Sequence, residues 1–370
     1  MSTRNRIPWI DCAKAYGMIL VFYGHFVETL FELTANQAAL MQYKFIYSFH
    51  MPLFFVLSGY VSSSSIPDAS DFFSKKIKTR VVPVLFFNFC AIPLWVVRDI
   101  VKYGSIDYYA FAMKAAALVR GHPKFNGITW FIICLMMVEV YDFLIVKYLK
   151  RGHVLRFVPL VYLAGWLITW ELDFFSEISG IGNNFWYIHE AIIAYPFYYI
   201  GKAASQGRML KSDSPTVAKA VVLSFALLVT LLTFDLNTGF GNVDEVVMMT
   251  RSQHGNLLLF PTTAIAGSAA IILLAQLTPQ ASLTLFIGRN TLFLMGLNGI
   301  IDRFFSKLII GPILPHIQLT DIYILLTCTM LTVASLAACY PAVLLLNRHY
   351  PRIVNFSTFK LRSIMAPILN

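Results

Sequence analysis

Charge is scarce in this chain. Only 13% of its 370 residues are Asp, Glu, Lys or Arg, against about 25% in a soluble domain. With 58% hydrophobic residues and a mean hydropathy of +0.67, that shortage excludes an ordinary soluble domain. It points to an all-α, polytopic membrane helix bundle with most of the chain in the bilayer. Cysteine is sparse too: Cys12, Cys90, Cys134, Cys328 and Cys339 lie in or beside apolar runs, none placed to staple an outer loop and none at metal-type spacing. No disulfide and no metal site are expected. The chain lacks internal repeats, low-complexity tracts and a separate soluble domain. No small-residue cleavage site follows the first span after MSTRNRIP, so a cleaved signal is not expected.

The basic excess, 29 Lys and Arg against 19 Asp and Glu, gives a net charge of +10. Such a balance can signal nucleic acid, but here the cations sit in short clusters between apolar spans. That is the pattern of cytoplasmic loops facing anionic lipid. Membrane lipids, and not nucleic acid, are the expected partners.

A span needs about 20 mostly apolar residues. On that ruler about ten candidates stand out, at about 10–32, 45–64, 81–100, 128–147, 157–172, 185–201, 217–234, 257–277, 284–306 and 321–345. Arg289, Asn290, Asn298 and Asp302 interrupt the ninth. The basic clusters Arg4 and Arg6, 75–80, 150–156, 202–211 and 348–362 all fall on one side, which places both termini in the cytoplasm. Two outer loops, 101–127 and 235–256, are each over 20 residues long, and loops of that length are often functional. The second reads either as a solvated cap over the bundle or as an acceptor-binding lid.

What is present is concentrated in Trp9–Thr34, a spanning helix with a basic entrance. Lys14 and His25 are 11 positions apart, which puts them within about 20° of one face and about 16 Å apart along the axis. Asp11, Met18, Phe22 and Glu28 fall on the same broad stripe. Ionisable groups at such depth default to a functional reading. The plainer alternative is that Lys14 snorkels to the headgroups and His25 bonds a neighbouring helix.

Three further stretches stand out. In FHMPLFFVLSGY, at 49–60, His50-Met51-Pro52 breaks the helix at the membrane edge. Its Ser58-Gly59 admits either a packed backbone or a ligand. SKKIKTRVVP, at 74–83, is a topology signal or a holder for a phosphorylated cofactor. Trp130, in ITWFIICL at 128–135, can be an interface anchor.

Together these stretches resemble the acyltransferase 3 family of integral membrane acyltransferases, in particular its branch similar to fucose 4-O-acetylases. WIDCAKAYGMILVFYGH resembles the family's Lys/Arg-X10-His motif, falling here on Lys14 and His25. FHMPLFFVLSGY resembles its second-helix signature, KTRVVPVLFF its basic third-helix entrance with Arg80 and Pro83 matching, and TWFI and IGRNTLFLMGLNGI later landmarks. The chain departs from the pattern at Ile77, where many members carry a basic residue, and at Asn298, near the place of a histidine in many members.

The resemblance implies a membrane acyltransferase domain over 1–346 and a short cytoplasmic tail over 347–370. It implies transfer of an acyl group, usually acetyl, from acyl-CoA to a hydroxyl of a carbohydrate or lipid-linked glycan, in a bacterial inner membrane. The implied donor is acetyl-CoA, with no metal. His25 then serves as general base, and Glu28 orients the imidazole or holds the proton. Lys14, Lys76, Lys78, Arg80, Ser58 and Trp130 are the expected donor contacts. Asp244, Phe240, Trp170 and Trp186 are the expected acceptor contacts. Direct attack in a ternary complex and an acetyl-His25 intermediate both remain open. A transporter or flippase of a glycolipid or small solute is the rival reading; transporters commonly carry paired repeats, which this chain lacks.

Overall fold

The computed structural model describes residues 6–63, 67–149, 151–170, 184–207, 215–237, 246–305 and 320–365. Among them the chain is helical, apart from connections and one isolated bridge between Met248 and Gln253. Helix α1 (Pro8–Thr34) opens on a proline, whose fixed φ suits a first helical turn. It ends where Ala35 turns left-handed at φ 51°. Asn36 then caps α2 (Gln37–Tyr47), its side-chain oxygen accepting from the Ala38 and Ala39 N–H groups at 2.9 and 3.2 Å. The tight connection turns α2 back along α1.

The expected span at 45–64 is two helices, α2 and α3 (His50–Tyr60), separated at Ser48 and Phe49. Ser48 Oγ bonds the Phe45 carbonyl at 2.7 Å, and Pro52 sits in the first turn of α3, where its missing N–H leaves no bond unmade. Nearly every side chain of α3 is buried, as befits a helix apolar all round.

The next run is continuous from α4 (Ala69–Lys76) through a π-turn at Ile77–Val81 into α5 (Val82–Tyr103). The expected loop 101–127 contains a helix, α6 (Tyr108–Val119), started by an Asp107 cap on the Ala110 N–H. Then come α7 (Trp130–Tyr148), α8 (Arg151–Trp170), α9 (Ile188–Gln206), α10 (Thr216–Thr233) and α11 (Leu259–Leu277). The expected ninth span is bent by 79° between α12 (Ser282–Arg289) and α13 (Thr291–Phe305). Polar groups that interrupt it in sequence are tied to neighbours there. Arg289 reaches Asp11 of α1 at 3.3 Å, and Asn290 accepts from Asn347 at 2.7 Å. The last helix, α14 (Asp321–Met365), runs through position 347 without interruption.

Among the described residues, five helices are each long and apolar enough to cross a membrane, and the bent α12–α13 pair passes the same test only when its two helices are taken together as one broken span. Helix α1 has the length but carries Asp11, Lys14, Glu28 and Glu32. Val217, Val221, Leu228 and Leu232 stand exposed on α10, an apolar surface suited to lipid and not to water. The molecule is a membrane protein.

Helix α1 is the hub, packed against α2, α3, α11, α12, α13 and α14. Helices α3 and α9 cross at two glycines. A Cβ on Gly59 would fall on the Tyr198 carbonyl, and one on Gly201 would fall on the Val56 carbonyl. The small residues thus set a backbone-to-backbone approach. This is the packing role that Ser58-Gly59 allowed, and it leaves Ser58 facing a cavity.

Candidate active site

Two cavities occupy opposite ends of the bundle along α1. The first, about 550 Å³, lies at the end where α1 begins; the second, about 490 Å³, lies towards its other end. Both fall within the usual range of small-molecule sites, about 300–1,000 Å³.

The first cavity is built from basic side chains. Lys14 of α1, Lys75, Lys76 and Arg80 of the π-turn region, and Lys202 of α9 line it, with Ser58 of α3. Three acids, Asp71, Glu139 and Asp142, share the wall. Arg80 grips Glu139 bidentately, Nε to Oε2 at 3.0 Å and Nη2 to Oε1 at 2.8 Å. Lys76 Nζ adds a contact to Oε1 at 2.9 Å, and Lys202 holds Asp142 at 2.6 Å. Lys14 makes no hydrogen bond or ion pair with a described residue. Glu139 and Asp142 hold Lys76, Arg80 and Lys202 in place, and five cations against three acids leave a net positive site. Such a site recognises a polyanion.

Lys78, expected with this group, is outside the cavity lining. The reason is helical geometry: residues two apart do not share a face, and Lys78 is two from both Lys76 and Arg80. Lys75 and Thr79 occupy the facing positions instead.

The second cavity holds His25. Its Nδ1 lies 3.0 Å from Glu28 Oε2, one turn on. Tyr43 and Tyr47, four apart on one face of α2, both donate to the same carboxylate, at 2.9 Å to Oε1 and 2.6 Å to Oε2. A carboxylate that accepts from two phenols and the ring N–H fixes the tautomer. Nδ1 carries the proton, and Nε2 keeps its lone pair. His50 lines the same cavity, and its Nδ1 donates to the Ile46 carbonyl at 2.9 Å, which likewise leaves Nε2 as an acceptor. An imidazole, the carboxylate that holds it and a second imidazole thus share one cavity. Glu28→Gln is expected to lower turnover by about 10²-fold with little change in donor affinity. Steady-state kinetics on purified protein would read that split.

Trp130 lines this second cavity and not the basic one, packed against Tyr187 with centroids 5.6 Å apart. Trp186 lies beside it. Its backbone N–H donates to the Arg120 carbonyl at 3.1 Å and its ring covers Gly121, while Asn184 and its neighbour Tyr187 do the lining. Asp244 and Phe240 fall outside the described residues, as does the side chain of Trp170. The described part of the long loop 235–256 does close over this end. Val247, Met248, Met249, Thr250 and Arg251 line the cavity, and Asn237 pins the loop through the His254 carbonyl and the Asn256 N–H.

Sequence reasoning missed Glu139, Asp142 and Lys202, and with them Tyr43 and Tyr47. The first two had a signal: acids three apart inside an otherwise apolar span, on one helical face. The tyrosines had none, because aromatics near a membrane edge are ordinary.

A membrane-embedded helical bundle with a cationic cavity and a histidine–carboxylate cavity in line defines a candidate for group transfer. The chain belongs to the acyltransferase 3 family: the family profile described as "Acyltransferase domain" matches residues 7–339. It is also similar to Nodulation protein NolL of Sinorhizobium fredii, 31% identical over 133 residues, and to Nodulation protein NolL of Mesorhizobium japonicum, 33% identical over 137 residues. Each match covers 35% of this chain and 33% of the relative, so the chain spans about a third of the length of these curated relatives. No solved structure matches.

Proposed function

We propose that this protein is a membrane-bound O-acyltransferase, specifically an O-acetyltransferase, using acetyl-CoA as donor and a hydroxyl of a polysaccharide, glycan or lipid-linked sugar as acceptor. The observation that carries the reading is the pair of cavities on one helix, cationic at Lys14 and Arg80 and basic at the His25 imidazole. Family membership favours this reading over a transporter or flippase. The bundle crosses a bacterial inner membrane about ten times, with both termini cytoplasmic, so the cationic cavity opens to the cytoplasmic donor.

In the reaction, the donor phosphates sit among Lys14, Lys76 and Arg80, with Ser58 at the wall. The acceptor hydroxyl enters from the opposite end, where Trp130 and Tyr187 offer ring faces and His50 an acceptor atom. His25 Nε2 takes the hydroxyl proton as the oxygen attacks the thioester carbonyl. Glu28 stabilises the imidazolium through Nδ1–H. The carbon–sulfur bond then breaks, and the proton passes from Nε2 to the departing thiolate, leaving an ester and free coenzyme A.

The test is donor binding. Lys14→Ala is expected to weaken coenzyme A binding by about tenfold, as a lost charge-assisted contact to phosphate would. Titration calorimetry on the purified protein reads it, and an unchanged affinity refutes the donor site. Mass spectrometry of surface glycans with and without the protein identifies the acceptor.

A further inference from the structure

The two cavities share two lining residues, Phe131 and Met295. Each is only 5% exposed, so these two buried side chains stand where the two cavities adjoin. Helix α13 shows the passage most clearly. Thr291 and Leu292 face the basic cavity, Gly299 and Asp302 face the His25 cavity, and Met295 falls between them on the same helical face. On α1, Met18 and Phe22, fully buried, fill the interval between Lys14 and His25.

The two partners differ mechanically. Phe131 is held by the rings of Phe54 and Phe55, with centroids 5.8 and 4.8 Å away. Met295 is unbranched, with a thioether that turns about several bonds, so it is the side chain able to yield. An apolar constriction also sorts by charge. Phosphates cannot leave the lysines and arginine to pass between a phenyl ring and a thioether without losing their solvation. A slim, neutral thioester arm can.

Resting on the functional reading above, we propose that Phe131 and Met295 form a throat through which the donor's acyl-bearing arm reaches His25, and that their bulk decides which acyl groups get there. The throat keeps the nucleotide end in the basic cavity and presents the carbonyl beyond it. In the absence of donor it closes the path that would otherwise join the two aqueous faces.

Bromoacetyl-CoA tests this without knowledge of the acceptor. An imidazole Nε2 beyond the throat attacks the bromomethyl carbon, bromide leaves, and the ring proton goes to solvent. Peptide mass spectrometry then reads label on His25, His50 or His122, the three histidines that line the cavity beyond the throat. No cysteine among the described residues lines either cavity. Wild type is expected to label there. Met295→Trp is expected to keep its coenzyme A affinity by calorimetry while labelling falls by about tenfold or more. Met295→Ala is expected to label with 2-bromohexanoyl-CoA, which wild type excludes. Labelling of Met295→Trp at the wild-type rate overturns the throat. So does wild type that binds coenzyme A yet labels at none of the three. Should Met295→Trp fail to fold, Met295→Ala decides alone: no gain with the longer reagent overturns the proposal. Wild type that fails to bind coenzyme A instead overturns the functional reading beneath it.

Discussion

His25→Ala is expected to lower acyl transfer by about 10²–10⁴-fold, the usual contribution of a positioned general base, while coenzyme A affinity stays within about twofold, because the cationic cavity proposed to hold the phosphates is the other one. The separation follows from geometry. His25 lines the cavity with Glu28 and Tyr47, whereas the lysines and Arg80 line the other. The imidazole is held by its own helix and by α2, so its removal leaves the packed side of α1 in place. Parallel measurements of turnover and calorimetric affinity on one purified sample give both numbers. Wild-type turnover in His25→Ala would falsify the base assignment. A matched loss of affinity would instead show that the two cavities do not act separately. Alanine is the better first substitution, since it makes no hydrogen bond that could keep Glu28 in register.

Gly59→Leu is expected to prevent assembly of the bundle. A side chain at Gly59 meets the Tyr198 carbonyl, which is backbone and cannot rotate aside, and the reciprocal contact of Gly201 with Val56 blocks a sideways shift. Overpacking a well-filled interior typically costs about 1–3 kcal/mol, and more where only backbone can yield. The effect reaches the site directly, because Ser58 on α3 and Tyr198 and Lys202 on α9 all line the basic cavity. Size-exclusion chromatography in mild detergent is expected to show loss of the monodisperse peak. A stable, monodisperse Gly59→Leu protein with wild-type coenzyme A affinity would overturn the crossing.

These two residues also mark how far the sequence could be read. His25 was visible because an ionisable group inside an apolar run is anomalous by itself. Its distance along the helix from Lys14 follows from the rise and turn of any α-helix. Gly59 was visible as a small residue in a buried helix, but its partner Gly201 is 142 positions away and nothing local connects the two. Lys78 looked equivalent to Lys76 and Arg80 as a charge, and helical phase separated it from them. Glu139 is the sharpest case. Its acid was in plain view in the fourth span, yet only the approach of α7 to the π-turn brings it onto Arg80 and Lys76.

By itself the sequence determined that this is a membrane protein, that a cation and a histidine lie along one helix, and that its motifs resemble a family of acyltransferases. Hydropathy and helical period are properties of a run of neighbours, so they survive without a fold. Only the tertiary structure decided that the polar stripe on α1 opens into two cavities, that two tyrosines from α2 complete the histidine–carboxylate pair, and that Phe131 and Met295 line both cavities. Those are meetings of side chains far apart in the chain, and they are set by how the helices cross and not by the order of residues along any one of them.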